Sequence, residues 1–310
     1  MRMLDLSIII VSWNVKELLQ RCLESIFQHP PSGLQFEVIV VDNASTDGSA
    51  AMVRDGFPQV QLLVNDENLG FTAANNQAIA RSRGRYVLLL NPDTEVLGDA
   101  PATIVGYMDA HPEVGALGPQ LLNPDGSIQS SRRRFPTMAT AFLESTILQR
   151  WFPDNPVLRR YYMLDRPDDR TQGVDWAVGA ALLVRKEAIE QVGPLDEGFF
   201  MYSEELDWCH RIKAQGWKVV YLPTAKVVHH GAQSSEQVKP FQHIQFQRSK
   251  VRYFRKHHGA WKAEALRLFL LATYVYHLLE EAFKWLVGHK RPLRAERVKA
   301  YWQVLRSRLV

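Results

Sequence analysis

The sequence predicts an α/β protein with a doubly wound, mostly parallel central sheet and a basic helical extension at its C-terminus. Three observations carry that prediction. Short β-branched runs alternate with helical patterns through the first hundred residues, polar residues gather where those runs end, and positive charge is concentrated beyond residue 235.

The strands come first. LSIIIVSWN (6–14) and FEVIVVDNAS (36–45) are continuous apolar runs, each followed by turn residues and a helical pattern, as in parallel strands buried on both faces. VQLLVND (60–66) and RYVLLLNPD (85–93) repeat the theme. Between the first two runs, Leu18, Leu19, Cys22, Leu23 and Ile26 recur at helical spacing, and FTAANNQAIARS reads as a small-residue helix. The order βαβαβαβ predicts right-handed crossovers onto one sheet. Further on, AALLVRKEAIEQVG reads as a strand and a short helix closed by Gly193. SEELDWCHRIKAQG reads as a helix N-capped by Ser203, with Leu206, Cys209 and Ile212 on one face, and VVYLPTAKVVHHG as two more strands.

Composition narrows the class. Hydrophobic residues are 46% and charged residues 23% of the 310, ordinary values for a folded soluble protein. The two cysteines, Cys22 and Cys209, form no CxxC pair, which argues against a disulfide framework or a structural zinc site. The opening MRMLDLSIIIVSWN lacks a small-residue cleavage site and reads as a strand, so the expected location is cytoplasmic.

Ligands of doubly wound sheets sit outside the carboxyl ends of the strands. Asp42 and Asn43 end the second run, Asn68 and Gly70 follow the third, and Asp93 and Glu95 follow the fourth. Neither GxGxxG nor GxxxxGK[ST] occurs, which excludes the common glycine cradles for phosphate. A divalent cation, Mg²⁺ or Mn²⁺, held by Asp93 is the simplest substitute. Asn91-Pro92-Asp93 is also good turn chemistry, and Ser45 or Thr46 could merely N-cap the next helix.

A second polar constellation follows at Asp196, Glu197, Glu204, Glu205 and Asp207. Acids at a helix start complement the macrodipole, and Asp207 has Arg211 at i,i+4. Five acids exceed that need, so one of them is a candidate general base. His229 and His230 end the last strand as candidate ligands or ordinary polar residues. Arg132, Arg133 and Arg134 read as a solvated face, with a phosphate contact as the alternative.

In order, SIIIVSWN, VIVVDNASTDGS, NLGFTAANNQAI, LLLNPDTEV, GAALLVRKEAIEQVGPLDEGFFMYSEELDWCHRIKAQGWKV and AKVVHHGAQS resemble family-2 glycosyltransferases of the GT-A fold, over roughly residues 6–234. Bacterial rhamnosyltransferase-like members that build cell-surface polysaccharide are the best match. The resemblance implies a nucleoside-diphosphate-sugar donor (dTDP-rhamnose first, UDP-sugars next), a saccharide or lipid-linked saccharide acceptor, and inversion at the anomeric carbon. It places Asp42, Asn43, Asn68, Gly70 and Asp93 at the nucleotide, Asp93 and His229 at the metal with His230 as alternative, and Glu204 and Glu205 at the catalytic acid pair. Asn91 replaces the first acid of the DxD-like element, and Glu205 replaces the usual Asp base. Asp175 and Trp176 are offered on the acceptor side, with a core tryptophan as the alternative reading.

Residues 1–235 are thus expected to form the GT-A catalytic domain and 236–310 a helical region. From residue 236 onward 16 Lys and Arg face 5 acids, whereas residues 1–235 carry 21 against 28. Leu268–Leu279 is uncharged but too short to span a bilayer. Basic helices interleaved with Trp and Tyr suit an anionic membrane surface, placing the protein at the inner face of the cell membrane; packing on the catalytic domain or a homodimer contact is the alternative. No nucleic-acid-binding motif accompanies the charge. The rival functions are a sugar-nucleotide nucleotidyltransferase, which would need a Gly-rich basic loop where SWNVKE stands, and a non-catalytic membrane-associated scaffold of the same fold.

Overall fold

The computed structural model describes residues 4–231, 239–288 and 290–310. Strand β1 (Leu4–Ser12) is buried from Leu6 onward and is flanked by β2 (Phe36–Asp42); β2 lies within the run read from sequence, and β1 starts two residues before its run. Helix α1 (Lys16–Gln28) joins them and buries Leu19, Cys22, Leu23 and Ile26 against the sheet. Helix α2 (Ser49–Gly56) leads to β3 (Gln61–Val64), and α3 (Phe71–Ile79) to β4 (Gly84–Leu90). The expected cap from Ser45 or Thr46 does not form. Ser45 Oγ and the Thr46 N–H instead bond Asn14, while Asp47 accepts from the Ser49 N–H and hydroxyl at the start of α2.

The chain continues through β5 (Thr94–Leu97), α4 (Ala100–Ala110), β6 (Val114–Leu122), β7 (Ile128–Gln129) and β8 (Arg132–Arg133). Three short helices follow, α5 (Met138–Leu143), α6 (Ile147–Trp151) and α7 (Pro156–Tyr161). Then come β9 (Gln172–Val174), β10 (Trp176–Ala177), β11 (Ala181–Arg185), α8 (Lys186–Val192), α9 (Glu204–Ala214) and β12 (Lys218–His229). The main sheet runs β3-β2-β1-β4-β11-β6-β12-β5. Its first half is parallel, as the alternation of runs and helices requires, whereas β11 is antiparallel to both β4 and β6.

Two local expectations are corrected. VVYLPTAKVVHHG forms one strand rather than two; its pairing with β6 shifts between Leu222 and Lys226, where Pro223 has no N–H to give the ladder. Ser203 has φ +63° and Tyr202 φ +69°, a left-handed turn rather than the extended conformation of a Ser N-cap.

The described chain divides into two compact units. One holds the sheet and takes residues up to Phe135, Tyr162–Phe200 and the chain from Glu204 through β12. The other gathers Pro136–Tyr161, Met201–Ser203 and the C-terminal helices α10 (Lys239–His258), α11 (Ala260–Leu286) and α12 (Arg291–Ser307). The sequence-based boundary at residues 235 and 236, like the last three residues of AKVVHHGAQS, lies outside the described residues.

Candidate active site

Parallel register aligns the carboxyl ends of the strands: Ser12 lies beside Asp42, and Ile9 beside Leu89. Asp42 is buried; its Oδ2 accepts from the Ser45 N–H at 3.1 Å, while Oδ1 and the neighbouring Ser12 Oγ have no hydrogen-bond partner. Buried polar atoms are nearly always satisfied, so Asp42 Oδ1 and Ser12 Oγ are open to a polar group at the strand ends.

Asn43 has a different occupation. Its Oδ1 accepts from the Leu69 N–H and from Asn65, and its Nδ2 donates to Asn68 Oδ1 at 2.8 Å and to the Gly70 carbonyl. Gly70 has φ +86°, and a Cβ there would lie 2.7 Å from both the ring and the carbonyl of Phe200. Asn43, Asn68 and Gly70 therefore lock the loop after β3 beside Asp42.

At the end of β4, the Asn91 N–H donates to the Ala180 carbonyl at 2.9 Å, carrying the pairing with β11 one residue beyond the strand. Asp93 follows and is buried. Pairing of β5 with β12 sets His229 opposite Thr94, and the His230 N–H donates to the Asp93 carbonyl. The two histidines then separate in role. His230 Nε2 lies 2.8 Å from Glu95 Oε1, whereas His229 Nε2 faces Asp93 Oδ1 at 3.4 Å without a hydrogen bond.

The other His229 nitrogen, Nδ1, lies 2.7 Å from Gln129 Oε1. Gln129 Nε2 donates to Asn123 Oδ1 and to the His229 carbonyl, which fixes the orientation of the amide. An amide oxygen only accepts, so Nδ1 carries a proton and donates it to Gln129, which holds the ring with Nε2 turned toward Asp93. A ring nitrogen and a carboxylate oxygen that face each other without a hydrogen bond can both serve a cation between them. The donor set fits Mg²⁺ or Mn²⁺ held by one carboxylate, one imidazole and oxygen atoms from a ligand. Among the described residues no group of three or more His, Cys, Asp or Glu side chains is arranged around a common metal position.

Of the five acids in the second constellation, three are taken up by local structure. Asp196 accepts from the Gly198 N–H, Glu197 from Asn76, and Asp207 from Arg211 at 2.9 Å. Arg211 in turn donates to the carbonyls of Val192 and Pro194, clamping α9 to the end of α8. Glu204 and Glu205 remain, each with a buried Oε2 that has no hydrogen-bond partner. Burial holds both above the ordinary carboxylate range, Glu204 well above it because the Glu205 charge adds to the cost. For Glu205, burial is offset by N–H donors, including that of Gly179, and by the positive charge of Arg133.

Arg133 is held firmly. It donates to Ser130 Oγ and to the Ser130 carbonyl, and its guanidinium lies 4.6 Å from the centre of the Tyr162 ring and 5.9 Å from that of Trp176. Trp176 is buried and donates its indole N–H to the Arg134 carbonyl. The solvated face expected of the three arginines is not found: Arg132 is buried and donates to the Pro167 carbonyl, and Arg134 pairs with Asp165.

Gly179 and Ala180 connect the two constellations. A Cβ on Gly179 would lie 3.3 Å from the Glu205 side chain, while the next residue, Ala180, bonds Asn91. Asp93 and Glu205 thus lie at the same end of the sheet. Asp175 does not join them. It bonds Lys213 and the Phe135 N–H, and it lines a cavity of about 320 Å³ near Lys218, which starts β12, whereas His229 ends it.

Sequence reasoning did not find Gln129, Ser12 or Gly179. Gln129 lies in a two-residue strand with no motif around it, and Ser12 and Gly179 matter only through neighbours that the sheet supplies. Burial pushes both cysteine thiols up to about 12, so neither is a nucleophile at neutral pH.

A mixed sheet with acids at its strand ends and an acid pair across the same end, Glu204 buried and Glu205 half-buried, is the arrangement of a GT-A glycosyltransferase. The chain belongs to glycosyl transferase family 2, whose profile matches residues 7–193. It is 33% identical to an N-acetylglucosaminyl-diphospho-decaprenol L-rhamnosyltransferase of Mycobacterium tuberculosis over 277 residues, 83% of this chain and 87% of that protein. Its fold is similar to that of a mannosyltransferase from Pyrobaculum calidifontis solved with GDP-Man and Mn²⁺ (TM-score 0.55, 17% identity, 99% of this chain and 88% of that one). It is also similar to GalNAc-T7 solved with UDP, GalNAc and Mn²⁺ (TM-score 0.59, 16% identity, 82% of this chain), of which it spans about half, 48%.

Proposed function

We propose that this glycosyltransferase moves a sugar from a nucleoside-diphosphate donor to a lipid-linked saccharide in cell-surface polysaccharide synthesis, with inversion at the anomeric carbon. The observation that carries the reading is the 3.4 Å approach of His229 Nε2 to Asp93 Oδ1, at the sheet end that also holds Glu205. The rhamnosyltransferase likeness makes dTDP-rhamnose the first donor to test and UDP-sugars the next.

Asp42 receives the nucleoside at the strand ends, and the loop locked by Asn43, Asn68 and Gly70 closes that side. Asp93 and His229 would hold the divalent cation, which neutralises charge on the leaving diphosphate when bound. Glu205 takes the proton of the acceptor hydroxyl as its oxygen bonds to the anomeric carbon, and the bond from that carbon to the diphosphate oxygen breaks. Glu204 stands beside that base, held well above the ordinary carboxylate range by burial and the Glu205 charge, while Trp176 backs Arg133 on the acceptor side. The protein would work peripherally at the inner face of the cell membrane.

The test is transfer from dTDP-rhamnose, then from a UDP-sugar panel, to a polyprenyl-diphosphate-linked N-acetylglucosamine, with Mn²⁺ or Mg²⁺ and with chelator. Transfer that chelator abolishes, and that Asp93→Ala and Glu205→Gln each lower by at least about a hundredfold, is the expected result. Equal transfer by both variants would remove the assignment.

A further inference from the structure

Helix α11 is two-faced. Ala263, Leu266, Leu270, Thr273, Tyr274 and Glu281 are buried. On the other side Leu268, Val275, Leu279, Phe283 and Leu286 are exposed by 55%, 44%, 61%, 66% and 66%. Spacings of seven, four, four and three residues put these five on one helical face, an apolar stripe about 27 Å long at the α-helical rise. Scattered exposed leucines are ordinary, but a contiguous apolar stripe of this length marks a contact surface.

No charge interrupts the stripe. Between Arg267 and Lys284 the helix has only Glu280 and Glu281. Both are drawn sideways into ion pairs, Glu280 with Arg150 at 2.8 Å and Lys284 at 2.6 Å, and Glu281 with Arg294 at 2.7 Å. Trp261 is 74% exposed at the start of the helix, and Trp285 is 43% exposed in its last turn.

We propose that this face of α11 lies flat in the interfacial layer of an anionic membrane. Charge decides between the two possible occupants. The chain from residue 236 carries 16 Lys and Arg against 5 acids, so a second copy would bring like charge to like, whereas anionic headgroups bring the opposite sign. Among the described residues no helix is long and apolar enough to cross a bilayer, and a stripe on one face suits burial at the boundary between headgroups and acyl chains. Exposed tryptophans near both ends are where interfacial anchors sit. The inference deepens the reading of a lipid-linked acceptor and rests on it for its biological purpose.

The experiment is flotation of the full chain with vesicles of phosphatidylethanolamine and phosphatidylglycerol, compared with pure phosphatidylcholine, at low and high salt. The wild-type chain is expected to float with the anionic vesicles and less so at high salt. Leu279→Glu/Phe283→Glu is expected to lower partitioning by about tenfold or more, with Leu279→Ser/Phe283→Ser intermediate, each with an unchanged circular dichroism spectrum and unchanged nucleoside-diphosphate affinity. Wild-type chain that stays with the dense fraction under all conditions overturns the proposal. So does a Glu double variant that floats equally well, or a dimer in size exclusion that the same substitutions split. Flotation without any nucleoside-diphosphate binding would instead overturn the donor reading and leave the membrane face standing.

Discussion

Glu204 and Glu205 are neighbours in a buried helix start, and the arrangement around them divides their work. Glu204 is held well above the ordinary carboxylate range by burial and by the charge next to it, whereas Glu205 has N–H donors and Arg133 to favour its ionised form. Of the two, Glu205 is the one placed to act as the proposed base. Because burial still raises it, activity is lost as pH falls at a point above the ordinary glutamate value of about 4.3. Arg133→Met removes the opposing charge and moves that acid limb upward. Glu204→Gln is expected to leave the limb in place, since Glu204 is held further above the ordinary range than Glu205. Rate against pH for the three proteins checks both. At the proposed cation site the same reasoning applies to Gln129, whose carbonyl holds the His229 ring by Nδ1: Gln129→Leu is expected to weaken Mn²⁺ binding in the presence of nucleoside diphosphate by about 10- to 100-fold, read by titration calorimetry.

Elements position these groups, and their legibility in sequence follows the range of the interactions that make them. Strands β1, β2 and β4 are readable because burial on both faces leaves an uninterrupted β-branched run. The face of α1 is readable from its spacing. The pairing of Asp93 with His229 comes only through the family resemblance and not from spacing, because it depends on β12 reaching β5 across the sheet, and Gln129 depends further on β7 folding back onto β6. Helix α9 shows both kinds. Its i,i+4 pair of Asp207 and Arg211 is written in the sequence, but the extension of Arg211 onto the end of α8 appears only in the fold. Asp207 is fully buried, so Asp207→Ala leaves a largely buried guanidinium without its carboxylate and is expected to cost about 3–5 kcal/mol. Urea unfolding measures this; a loss below about 1 kcal/mol would show that the three carbonyls contacting Arg211 suffice without the carboxylate.

At the scale of the whole molecule, the sheet carries the chemistry and the C-terminal helices carry the charge and the exposed apolar stripe. A transferase that meets its acceptor in a membrane gains by confining itself to that surface, because confinement raises the effective concentration of the acceptor without altering the reacting groups. The two functions then separate experimentally. With an acceptor whose lipid is shortened until it is water-soluble, Leu279→Glu/Phe283→Glu is expected to retain wild-type kcat and KM. With the same acceptor on a full-length polyprenyl chain in phosphatidylglycerol vesicles, the double variant is expected to show an apparent KM raised about tenfold at unchanged kcat. Glu205→Gln is expected to lose kcat with both acceptors, because the proton it takes is the same wherever the acceptor resides. A double variant that lost kcat on the soluble acceptor would place the stripe within the catalytic machinery and withdraw the division.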